Sequence, residues 1–136
     1  MVSKAKHPQF SVYISNFCAM ITEAKQDYEW NRDEVNRLDR LTQDYLHDLE
    51  LGDLDYKKRA RVATRLAKCR QLRRESKDTV EILEPFIEFI DSDKGKQMIN
   101  LLKETLGKTR KAEERMVTRT YRYKVLEHKA NNGNIE

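Results

Sequence analysis

Twelve residues of this chain, Phe10, Ile14, Phe17, Ile21, Ala24, Tyr28, Asn31, Val35, Leu38, Thr42, Tyr45 and Leu49, recur at alternating steps of four and three. That spacing averages close to one α-helical turn, so it lines all twelve along one side of a helix as a coiled-coil-like seam. A strand would alternate every second residue instead. At 1.5 Å per residue, forty residues of helix run about 60 Å. A helix that long with one narrow apolar stripe is stable only against other helices, so the seam predicts an all-α, elongated fold.

Two polar residues interrupt the stripe. Asn31 reads as a register-fixing residue in a continuous or bent helix. The alternative is a break at which Asn31 or Asp33 caps a new segment, since Asn31 and Glu34 have capping-box spacing. Gly52-Asp53-Leu54-Asp55 is expected to stop this first helix and cap a second. In the second, Val62, Leu66, Cys69, Ser76, Val80, Leu83, Ile87 and Ile90 repeat the spacing. Arg73 falls on the same stripe, where it must either snorkel to water or meet a carboxylate. Pro85 predicts a kink or a restart near Ile82 to Pro85, because proline removes one helical hydrogen bond. Asp91-Ser92-Asp93 is the next capping cluster. Lys94-Gly95-Lys96 opens a third helix whose apolar side, from Met98 and Ile99 to Tyr121 and Tyr123, reaches about Leu126. Residues 1–8 and 128–136 read as flexible tails of a single helical domain.

Three helices joined by short turns are expected to alternate in direction as an elongated antiparallel three-helix bundle. The long, narrow seams also make a homodimer, burying a second face, an expectation. Cys18 and Cys69 have neither disulfide nor metal spacing and sit at core-like positions, so free buried thiols are expected.

Charge is distributed unevenly along this frame. Between Lys57 and Lys77 ten cations face Glu75 alone, a net of +9, whereas Glu23 to Asp55 carries eleven carboxylates against four cations, a net of −7. Antiparallel pairing lays the acidic half of the first helix beside the basic half of the second. Complementary charge would then fix their register. Over the whole chain charged residues are 37% and the net charge is +4, a mild basicity that supports weak attraction to acidic partners. No apolar run approaches the roughly 18–20 residues that span a bilayer, and the first eight residues hold no apolar leader core. The expectation is a soluble, cytoplasmic protein that does not bind membranes.

Catalytic signals are sparse. His7, His47 and His128 are scattered, and Asp44 with His47 forms only half of a bundle metal site, with no second pair to complete it. Gly95-Lys96 fails as a phosphate loop because residue 90 is Ile and residue 97 is Gln. No enzyme activity, cofactor or metal is expected. The remaining candidates are basic. Lys57, Lys58, Arg61, Arg65 and Lys68 share one sector of the second helix, spaced to follow a phosphate backbone. Arg59, Arg70, Arg74 and Lys77 flank the other side of the stripe. Neutralisation by the acidic half of the first helix is the competing account of this charge. A second cluster, Arg110, Lys111, Arg115, Arg119 and Arg122, is interleaved with Tyr121 and Tyr123, which could stack on bases, fill a protein hot spot or simply pack on the bundle.

The runs Val80-Glu81-Ile82-Leu83-Glu84-Pro85-Phe86-Ile87-Glu88-Phe89, Asp93-Lys94-Gly95-Lys96 and Leu106-Gly107-Lys108-Thr109-Arg110-Lys111 give the second half of the chain a likeness. It resembles small helical proteins of unknown function encoded by prophages and other mobile elements of Gram-positive bacteria. No functional residue is carried over by that resemblance. What it implies is context: such proteins are often binders that block a host machine, CRISPR nucleases and other defence systems included. The leading expectation is therefore a non-enzymatic interaction protein that binds and inhibits a host protein or ribonucleoprotein. A nucleic-acid-binding protein using the Lys57 to Lys77 helix is the second, and a purely structural oligomer the third.

Overall fold

A computed structural model describes residues 9–126. The expected tails at 1–8 and 128–136 lie outside the described residues. Three helices make up the fold: α1 (Phe10–Leu51), α2 (Tyr56–Asp91) and α3 (Asp93–Thr118). They form an all-α three-helix bundle, as the seams require.

α1 runs through Asn31 without a break. The Asn31 side chain donates to the Asp27 carbonyl one turn earlier, at 2.7 Å, and caps no new segment. Of the twelve seam residues only Phe10 and Phe17 are exposed; the other ten are buried or half-buried. The α2 stripe, Arg73 included, is buried or half-buried throughout. α2 also continues through Pro85, so the helix does not restart there. Pro85 is exposed on the side away from the stripe, where the carbonyl that loses its N–H partner faces solvent.

The turns are capped by specific residues. The Asp55 side chain accepts from the Lys58 N–H at 2.8 Å, capping α2. Ser92 caps α3, its Oγ accepting from the Gly95 N–H at 3.1 Å. Gly52 ends α1 with φ −75° and ψ 146°, so the left-handed conformation usual for a terminal glycine is not what selects it. Space selects it, because a Cβ there would stand 2.5 Å from the Asp48 carbonyl oxygen.

α1 and α2 form a long antiparallel hairpin. Thr42 and the Leu38 carbonyl each lie 3.4 Å from the Cys69 sulfur, and Lys25 pairs with Asp91 at 3.1 Å where α2 ends. Leu38, 1% exposed, is fully buried in the middle of the hairpin. Full burial of such a side chain contributes about 1.5–3 kcal/mol. Cys69 is a buried free thiol and Cys18 a half-buried one.

α3 departs from strict up-and-down alternation. Its first residue follows α2's last by two positions, beside Lys25, yet Glu113 near its other end bonds Ser11. As α3 advances, α1 is traversed backwards. Both α2 and α3 therefore run antiparallel to α1, α2 against its C-terminal two-thirds and α3 against its N-terminal third. All three helices meet at one core cluster, Ile21, Ala24, Ile87 and Ile90, with Tyr28, Leu83, Phe86, Met98 and Ile99 packed against it.

α3 ends at Thr118, so the helix expected to reach Leu126 is eight residues shorter. Glu113 already stands beside the first turn of α1, and beyond that point a further turn has no described helix to pack on. Tyr121, Arg122 and Tyr123 consequently lie in irregular chain after the helix.

Candidate functional site

The hairpin leaves its charges on the outside. Among the described residues three ion pairs form: Lys25 with Asp91, Arg37 with Glu34, and Arg73 with Asp39. Only Arg73–Asp39 joins the acidic half of α1 to the basic half of α2. Arg73 can reach because it sits on the seam itself, and it meets a carboxylate as its position demands. The electrostatic zipper expected between the two halves is otherwise absent among the described residues. Two geometric facts account for this. The remaining cations leave from the flanks and back of α2, where apart from Arg59 they meet no group of α1 among the described residues, and Glu34, half-buried near the interface, is taken by Arg37 three residues along its own helix.

Nine of the ten cations from Lys57 to Lys77 are therefore exposed and without a carboxylate partner among the described residues. Lys57, Lys58, Arg61, Arg65 and Lys68 form one row on a single rigid helix, and Arg70, Arg74 and Lys77 a second row on the other flank. Arg59 alone is engaged elsewhere, donating to the Leu49 carbonyl at 3.4 Å near the C-terminus of α1, a favourable end for a cation. From Lys57 to Lys77 the helix rises about 30 Å, close to one turn of a nucleic-acid duplex.

The C-terminal cluster does not join this surface. Arg110, Lys111 and Arg115 are exposed on the last turns of α3, Arg119 caps the helix with its N–H on the Arg115 carbonyl, and Arg122 follows outside it. Tyr121 and Tyr123 stack edge to face, with ring centroids 5.2 Å apart. Since Glu113 lies beside Ser11 and Cys69 beside Leu38, the intervening α1 separates the two clusters by about 40 Å.

Glu113 has a role that its place among cations conceals. Gln9, the residue before α1, supplies no side-chain cap. Glu113 accepts the free Ser11 N–H at 3.1 Å and the Ser11 hydroxyl at 2.6 Å, so a carboxylate from α3 caps α1 across 102 residues. The hydroxyl bond first, then the N–H, hold its carboxyl below the ordinary glutamate value, with a smaller contribution from Arg110. The sequence signal was a long helix starting without a capping residue.

The depressions on the molecule are shallow and open, one between side chains of α2 around Arg70, Arg74 and Lys77, another in the hairpin groove at Trp30, Glu34, Leu72 and Ser76. Asp44, His47 and Asp48 border a third, but among the described residues no group of three or more side chains is arranged to hold a metal ion. No described helix is long and apolar enough to cross a membrane. No family model matches the chain, and no curated protein or solved structure matches it either.

Proposed function

We propose that this chain is a non-enzymatic binding protein that engages nucleic acid, free or displayed on a ribonucleoprotein, through the basic surface of α2. One observation carries the reading: nine of the ten cations of Lys57 to Lys77, all but Arg73, stay exposed and outside the ion pairs of the described residues although an acidic helix runs alongside them. A rigid row of Arg and Lys neutralises successive phosphates and releases their counterions, giving salt-dependent affinity without base specificity. Helix α2 supplies the row, and the seam against α1 holds it straight.

The test is binding to a generic duplex across a salt series, followed by fluorescence anisotropy. Each phosphate contact adds about 0.9 to the slope of log affinity against log salt. Replacing Arg61, Arg65 and Lys68 with Glu should lower that slope by about 3 and abolish measurable binding at physiological salt, with helicity intact by circular dichroism. An unchanged slope would discard the proposal.

A second reading keeps the mobile-element context of the resemblance: a protein that binds and inhibits a host protein or ribonucleoprotein, such as a defence nuclease. The observation favouring it is the other side of the hairpin, where Glu29, Asp33, Asp44 and Asp48 of α1 are exposed and outside every ion pair among the described residues. Such carboxylates can occupy a site built for phosphates. Under this reading, charge reversal on α1 rather than α2 removes the inhibition of a purified nuclease.

A further inference from the structure

The first thirteen residues of α1, Phe10 to Thr22, contain no charged side chain in a chain that is 37% charged. Within them Phe10, Tyr13, Phe17 and Met20 make a stripe that is 58%, 62%, 38% and 41% exposed. Its position on the helix is informative. Phe17 and Phe10 are seven and fourteen residues before Ala24, and that same heptad position continues as Asn31 and Leu38, which face α2. Tyr13 and Met20 lie at the heptad position of Glu34 and Leu41, both half-buried on the hairpin side. The stripe is thus the α1–α2 seam prolonged beyond the end of α2, which stops opposite Lys25. α3 does not cover it. That helix packs on a neighbouring side of α1, marked by Ser11, Ile14 and Cys18.

We propose that this stripe is a homodimer interface, in which the N-terminal third of α1 from a second copy takes the place that α2 vacates. The occupant must resemble α2 there: an apolar-striped helix running antiparallel to α1. The same segment of another copy satisfies this about a two-fold axis, pairing Phe10 with Met20 and Tyr13 with Phe17. The incoming helix begins opposite Met20, before α2 ends opposite Lys25, so the two abut without overlap. Charge also selects a second copy, because an uncharged segment pairs with itself without repulsion, whereas the outer sides of α1 and α2 are each dominated by one sign. Four side chains per copy, three of them aromatic and each roughly half exposed, form a contact at the small end of specific interfaces, so the dimer is reversible.

Sedimentation velocity over loading concentrations from about 1 μM to about 1 mM, the range in which weak contacts dissociate, reads the association directly. The unaltered protein should shift from monomer to dimer across that series. Tyr13→Lys with Phe17→Lys should remain monomeric throughout while retaining its helicity, and Leu101→Lys, at an exposed apolar residue of α3 outside the stripe, should dimerise like the parent. A parent that stays monomeric, or that instead binds neutral lipid vesicles, overturns the proposal. So does a stripe variant that dimerises normally.

Discussion

Gly95 shows how a single position can reverse an intrinsic preference. It lies in the first turn of α3, where alanine would ordinarily be favoured over glycine by about 1 kcal/mol. A Cβ on Gly95, however, would stand 1.9 Å from the Phe89 carbonyl oxygen and 2.7 Å from the Ile90 Cα. Both atoms are backbone, and Ile90 is 0% exposed at the centre of the core, so neither can yield cheaply. Gly95→Ala should therefore lower stability by roughly 1–3 kcal/mol. Gly107, with no atom within 4 Å of an added Cβ, should respond oppositely, Gly107→Ala raising stability by about 0.5–1 kcal/mol. Urea denaturation midpoints of the two variants decide this, and midpoints moving in the same direction would refute the packing account of the corner.

At the scale of elements, both seams were legible in the sequence because burial against a partner helix imposes a 3.5-residue repeat on the side chains themselves. Arg73 was legible for the same reason: a cation on such a stripe has few solutions. The direction of α3 was not. A one-residue connection at Ser92 does not encode a heading, and the contact that fixes it, Ser11 with Glu113, joins residues too distant for local pattern to register. The basic row on α2 was legible as composition, but its freedom from the acidic helix was not, since whether two charges meet depends on which way each leaves its helix. The Glu113 cap gives the α1–α3 contact a pH dependence. Its native pKa lies below the ordinary value of about 4.3, so the unfolded chain binds the proton more readily in that window. The stabilisation is complete above about pH 4.3 and is lost as pH falls through the lower native value. Hydrogen exchange should show the amides of the first turn of α1 losing protection over that acidic range. In Glu113→Gln, which does not titrate, protection there should be weaker at neutral pH and flat across the same range.

Over the whole molecule, α1 acts as a spine carrying one basic cluster at each end of its length. Their separation of about 40 Å makes cooperation depend on the size of the ligand. A duplex of about 8 base pairs, about 27 Å long at 3.4 Å per pair, covers only the α2 surface, whereas one of about 20 pairs reaches both clusters. Replacing Arg110, Lys111 and Arg115 with Ala should leave affinity for the short duplex unchanged and weaken binding of the long one; equal losses on both would show that the clusters do not act separately. The Ser11–Glu113 bond also has a meaning in time. A chain leaves the ribosome at about 5–20 residues per second, so the residue that caps α1 follows Ser11 by roughly 5–20 s. The α1–α2 hairpin can close well within that interval, from contacts nearer in sequence. During synthesis the first third of the spine waits longest for its neighbour, so the side of this uncharged segment marked by Ser11, Ile14 and Cys18 stays open to chaperones and to other nascent copies on the same message until α3 arrives, alongside the aromatic stripe that remains exposed afterwards.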